Sequence, residues 1–237
     1  MRFSNFVLED GVYCQSGFST GEFEKEYFDI RSKEGRVYDD ETVKKLPFIE
    51  HPEWRIRATS AKKLVGQLRK EKCTSFIEIG CGNGWLTNYI QSHLNITAYG
   101  IDVGKHELQQ ASRVSSGGAT FFYGDIFSEA FNDLKADVII LAACIQYFPD
   151  PKRLIDILTK KGTVHIIDSP IYKPGTSINA RERSKKYFDS KDASAMEQFY
   201  FHHEETTLPG AEFLYQPNRL KILLGGSPFP WIRIRKG

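Results

Sequence analysis

Apolar positions along the chain change their period more than once. Within Glu53–Lys70, the residues Trp54, Ile56, Ala61, Leu64, Val65 and Leu68 fall at helical spacing and predict a long helix. Beyond it come short apolar runs. Ser75–Ile79, Ile96–Ile101, Ala119–Tyr123, Asp137–Ala143 and Gly162–Asp168 each predict a strand. Between them, Trp85–Leu94, Lys105–Arg113 and Pro151–Thr159 predict helices, the last opened by a proline in its first turn. Strands that alternate with helices and are apolar throughout predict a mainly parallel sheet covered on both faces.

The flanks are less regular. Phe23, Tyr27 and Ile30 give Glu22–Glu34 helical character, and Asp39 or Asp40 is placed to cap a short helix through Lys45. The rest of the segment to Pro52 is mixed and rich in turn residues. After Pro170, Asn179–Lys191 predicts a charged helix and Arg219–Leu224 a short one ended by Gly225 and Gly226. Phe199–His203 and Ala211–Gln216 fit either strand or packed loop. Trp231–Arg235 alternates apolar and basic residues and predicts a final strand.

Composition narrows the function classes. The 237 residues are 41% hydrophobic and 26% charged, enough for one sizeable core and too apolar for a disordered chain. The longest apolar run, Val138–Ile145, is too short to span a bilayer, and Met1–Asn5 lacks the apolar stretch of a signal peptide. A net charge of +2 is less than a nucleic-acid binder usually carries. Cys14, Cys73, Cys81 and Cys144 show no paired spacing, so the expectation is reduced thiols, no metal and a cytoplasmic protein.

The chemistry concentrates in Phe76–Gly84. A strand feeds the turn Gly80-Cys81-Gly82-Asn83-Gly84, which opens a helix, and glycines there let a backbone approach a ligand. Glu78 precedes the turn. Asp102 ends the second strand, eighteen residues beyond Gly84, where a carboxylate can accept both hydroxyls of a ribose. The dinucleotide fingerprint wants a further glycine where Trp85 stands.

The run Glu78–Gly84, with Asp102, Gly124-Asp125 and Leu141–Pro151 in order on successive strands, resembles class I S-adenosylmethionine-dependent methyltransferases over Lys63–Tyr172. The resemblance implies a three-layer Rossmann-like α/β fold, with a mostly parallel sheet and an N-terminal helical lid. It implies a single domain: a lid or extension over 1–60, a cofactor-binding core over 61–172, and a substrate-side segment over 173–237. Seven strands are implied. Six are placed here, and the strand from Trp231 fits the sixth or seventh position.

Carried over by position, Gly80, Cys81, Gly82, Asn83 and Gly84 would lie against the methionine part of S-adenosylmethionine. Glu78 would organise the turn and the ammonium. Asp102 would hold the ribose, Val103 and Ile126 would flank the adenine, and Asp125 would accept its exocyclic amine. Ala142 and Ala143 would face the sulfonium, and Arg31 or Arg57 would pair with the cofactor carboxylate. Gln146 and Tyr147 stand where such enzymes often carry histidine, so they are the candidate catalytic residues and a histidine base is in doubt.

The expected activity is methyl transfer to the oxygen or nitrogen of a small, partly apolar acceptor, by a monomer or homodimer. The product is S-adenosylhomocysteine. The alternatives are an S-adenosylmethionine-binding module without transfer activity and, less favoured, a nicotinamide-dependent oxidoreductase. Asp168-Ser169-Pro170-Ile171-Tyr172 superficially resembles an amino-methylating motif, but it follows the fifth strand rather than the fourth. His165 reads as a core residue, and His202 and His203 read as loop.

Overall fold

The computed structural model describes residues 5–223 and 225–235. The expectations placed on Met1–Ser4 and Leu224 lie outside the described residues.

The described residues form one nine-stranded sheet. Its parallel centre comprises β3 (Ser75–Ile79), β4 (Thr97–Asp102), β5 (Ala119–Tyr123), β6 (Val138–Ala142) and β7 (Thr163–Ile167). These are the five runs read from the sequence. Two strands precede them, β1 (Phe6–Glu9) and β2 (Val12–Gln15), and two follow, β8 (Glu212–Tyr215) and β9 (Trp231–Ile234). The spatial order is β1-β2-β5-β4-β3-β6-β7-β9-β8. The order reverses at β3, where chain connections diverge to either side and leave a crevice at the carboxyl ends of the strands.

Both faces are covered. On β3, Phe76 packs with α3 (Pro52–Lys70) and α4 (Trp85–Leu94), while Ile77 and Ile79 join the opposite cluster with α6 (Pro151–Leu158). This period-two division explains why the central strands are apolar throughout. Next to α4, α5 (Lys105–Val114) buries Leu108 and Ala111 against Phe121 and Val12. No helix among the described residues is long and apolar enough to cross a membrane.

Two edges differ from the sequence reading. β1 and β2 make an antiparallel hairpin, and β2 then pairs in parallel with β5. Its turn is Asp10-Gly11 with φ +48° and +78°, the geometry of a two-residue type I′ turn. At the other edge, Glu212–Tyr215 is a strand, and β9 lies between it and β7, antiparallel to both. The strand from Trp231 therefore follows β8 in the chain and takes the inner place. Arg233 fixes this edge by donating to Glu212 at 2.7 Å and to Glu71, just past α3, at 2.8 Å. By contrast, the stretch 200–203 is irregular.

Candidate functional site

The carboxyl ends of β3, β4, β6 and β7 open into a cavity of about 1060 Å³. Its roof comes from both flanks: α1 (Glu22–Lys33) from one side, α7 (Ser177–Ser190) and the stretch 196–201 from the other.

The glycine turn forms one wall. Gly80, Gly82 and Gly84 have φ of +70°, +50° and +70°. At Gly80 a Cβ would lie 2.6 Å from the Cys144 Cβ, so a side chain cannot fit there. Gly84 is different. It does not line the cavity; a Cβ on it would meet the Ala111 Cβ at 2.7 Å and the Phe121 ring at 2.9 Å. This glycine lets α4 start close against α5 and β5, so its contribution to the site is indirect.

Glu78, Cys81, Asn83, Asp102, Val103, Asp125, Ile126, Ala142 and Ala143 all line the cavity, as do Arg31, Gln146 and Tyr147. Glu78 is buried and accepts the Thr87 hydroxyl from α4. Burial pushes its carboxyl up to about 8. Asp102 Oδ2 accepts the Gly82 N–H at 2.7 Å, and Oδ1 accepts those of Val103 and Gly104 at 2.7 and 2.8 Å. Burial raises its pKa, and the three N–H groups oppose that rise. Asp125 turns back on its own loop by accepting the Phe127 N–H at 2.9 Å.

At the end of β6, Ala143 has φ +54°, a left-handed conformation that is costly for a residue with a Cβ. Its carbonyl accepts the Gln146 amide N–H at 2.7 Å, while Gln146 Oε1 is buried without a partner. Tyr147 stacks edge-on against Phe23, Tyr27 and Tyr200 with ring centroids 5.5–5.8 Å apart. Burial raises the phenol pKa of Tyr27, Tyr147 and Tyr200, so these groups stay protonated near neutral pH.

Arg31 lies over the Tyr27 ring and reaches Glu34 at 3.2 Å, while its buried Nε has no partner. It begins a chain of ion pairs, Arg31–Glu34–Arg36–Glu53–Arg57, that links α1 to α3. The Tyr187 hydroxyl donates to Glu34 and adds α7. Three guanidinium groups against two carboxylates leave the chain one positive charge in excess.

Several cavity residues were not signalled by the motif. Asp168 lines the wall at φ +51° and accepts the Ser60 hydroxyl at 2.6 Å. Glu107, in the first turn of α5, also faces inward. In sequence it looks like an acid that complements a helix N-terminus from the solvent side. Gln15 on β2 accepts the Asp125 N–H at 3.0 Å and donates to Ser128 at 3.0 Å, so the hairpin steadies the Asp125 loop. The Asp10-Gly11 pair was the available signal for it. His202 and His203 do not line the cavity.

Residues 70–208, more than half of the chain, match a family model described as a methyltransferase domain. The chain belongs to that family. No protein with a curated description matches it significantly. Among solved structures, it is similar to magnesium protoporphyrin IX methyltransferase from Synechocystis PCC 6803 with bound SAH. That match has 14% identity and a TM-score of 0.58, covering 90% of this chain and 96% of the other. It is similar to the plantazolicin methyltransferase in complex with a triazolic desmethylPZN analog and SAH, at 17% identity and a TM-score of 0.55, over 91% and 98% of the two chains. An O-methyltransferase family protein from Burkholderia thailandensis matches at 13% identity and a TM-score of 0.55, over 78% of this chain and 58% of the other. These likenesses establish the fold.

Proposed function

We propose that the protein, acting as a single domain, transfers the methyl group of S-adenosylmethionine to a small-molecule acceptor bound beneath α1 and α7. The observation that carries this reading is the wall formed by Gly80, where a Cβ would overlap Cys144, beside the carboxylates that line the crevice. A cofactor with an ammonium, a carboxylate and a ribose fits the donor set. Glu78 would face the ammonium, the unpartnered Nε of Arg31 would suit the carboxylate, and Asp102 would reach the ribose. Val103 and Ile126 would flank the adenine, with Asp125 toward its amine. The turn from Gly80 to Asn83 would lie along the methionine part, and Ala142 and Ala143 would face the sulfur.

When bound, the cofactor supplies a methyl group already activated for displacement. The chain's own residues then position and exclude water. Phe23, Tyr27, Tyr147, Phe199 and Tyr200 give the acceptor side apolar walls. Gln146 and Tyr147, which line the cavity just beyond Ala143, would be the candidate catalytic residues and meet the acceptor. Tyr147 stays protonated and so can donate a hydrogen bond, while Gln146 Oε1 can accept one.

Calorimetric titration with S-adenosylhomocysteine, S-adenosylmethionine and the nicotinamide dinucleotides tests the reading. Binding of both adenosyl ligands and of neither dinucleotide is expected. Binding of a dinucleotide alone would overturn it. Methylation of members of an amine, phenol and carboxylic-acid panel then separates an enzyme from a binding module.

A further inference from the structure

Glu107 lies over the glycine turn. A Cβ on Gly82 would sit 3.5 and 3.6 Å from its two carboxylate oxygens. A Cβ on Gly104 would sit 3.4 Å from Glu107 Oε2 and 3.3 Å from Asp102 Oδ1, so the two acids are neighbours in one corner of the cavity. They differ in what already occupies them. Three backbone N–H groups fill most of the roughly four acceptor positions of Asp102. Neither oxygen of Glu107 accepts a hydrogen bond from any described residue.

A partly buried carboxylate that lines the cavity with every acceptor position open favours a ligand that brings donors. A vicinal diol brings two O–H groups at the spacing of one carboxylate. Asp102 has about one position left, so it can take one hydroxyl but not both. A cationic donor fits this corner less well, because Arg31 on α1 faces the same carboxylate. Resting on the cofactor reading above, we propose that Glu107 accepts the ribose hydroxyls of the adenosyl cofactor, a role that the family resemblance assigns to Asp102 alone.

The electrostatics agree with this placement. Burial, then Asp102, pushes the Glu107 carboxyl up to about 7, while Arg31 lowers it and Glu24 raises it. The Tyr27 phenol and the Cys81 thiol also face it, and both stay neutral because burial raises their pKa. Hydroxyls that donate to Glu107 favour its ionised form. Binding just below neutral pH therefore releases protons.

The test compares S-adenosylhomocysteine with 5′-methylthioadenosine, which keeps the adenine and ribose but lacks the amino-acid end. In calorimetry, Glu107→Gln is expected to weaken both ligands alike, by about tenfold. Titrations near about pH 6.5 in buffers of different ionisation heat should show proton release for the wild type and not for the variant. Unchanged affinity for both ligands overturns the proposal. So does weakening confined to S-adenosylhomocysteine, which would place Glu107 at the amino-acid end. A wild-type protein that binds neither ligand overturns the cofactor reading instead. Glu107→Gln removes a buried charge, so its melting temperature at alkaline pH should equal or exceed that of the wild type. If it melts lower, Glu107→Met takes its place under the same two outcomes.

Discussion

The Glu24 carboxylate accepts the backbone N–H of Lys105 at 2.7 Å, so a side chain of α1 caps the first turn of α5. Gly104, at the cap position itself, offers no side chain. The Thr20 hydroxyl lies 2.9 Å from Glu24 Oε2 and 3.3 Å from the Val103 carbonyl oxygen. Glu24→Ala is expected to lower stability by about 1 kcal/mol in urea unfolding. It should also weaken S-adenosylhomocysteine, because Val103 and Glu107 stand on the loop and turn it holds. Unchanged affinity would show that α1 does not support this part of the wall.

Gly84 and Gly17 share a left-handed backbone, with φ of +70° and +71°, but not an environment. Around Gly17 nothing lies within 4 Å of a Cβ, whereas at Gly84 the added atom meets Ala111 and Phe121. Gly17→Ala should cost about 1 kcal/mol, from backbone strain alone. Gly84→Ala should cost about 2–5 kcal/mol, because overpacking adds to that strain. Equal costs in denaturant unfolding would mean that α4 and α5 can move apart freely.

Burial holds the Glu78 carboxyl at about 8, above its value in the unfolded chain. The native state then binds more protons than the unfolded state between about pH 4.3 and the native value, so stability falls as pH rises through that window. Glu78→Gln removes the titration. Without ligand, its melting temperature relative to wild type should rise steadily from acid pH to about 8. A constant difference across that range would mean that Glu78 ionises freely in the native state.

His165 shows the opposite linkage. It is buried on β7, accepts the Trp231 indole N–H at 3.0 Å through Nδ1, and sits 3.3 Å from Glu71 through Nε2. Burial, joined by Arg233, lowers its pKa against the pull of Glu71. Below its unfolded value of about 6.5 the unfolded chain gains a proton that the native state resists, and stability is lost as pH falls. His165→Gln should flatten the acid limb of the stability curve, with the Trp231 fluorescence transition as readout. An unchanged limb would assign the acid loss to other groups.

The centre of the fold was legible because burial on both faces leaves strands apolar throughout, as in Val138–Ala142, and glycines mark the turn after β3. The edges were not. β1 exposes Val7 and Leu8, so its pattern carries no burial signal, and only Asp10-Gly11 announces the hairpin. Glu212–Tyr215 is only partly covered and leaves strand and loop equally possible in sequence. Within the site, Asp102 was visible from its place at the end of a strand. Glu107 was hidden because the first turn of any surface helix favours an acid. Gln15 was hidden because its partner, Asp125, lies 110 residues away.

The cavity roof is assembled from segments that lie far apart in the chain. Tyr27 and Tyr147 meet Tyr200 in one aromatic cluster, and Glu34 binds Tyr187 across the same opening. If the acceptor binds in this cavity, as proposed above, selectivity for it is a joint property of the two flanks. Exchanging either flank alone with that of another protein of this fold would leave rings and charges without their counterparts. A graft that moves preference from one acceptor to another has to carry both flanks together, while the strands beneath can stay as they are.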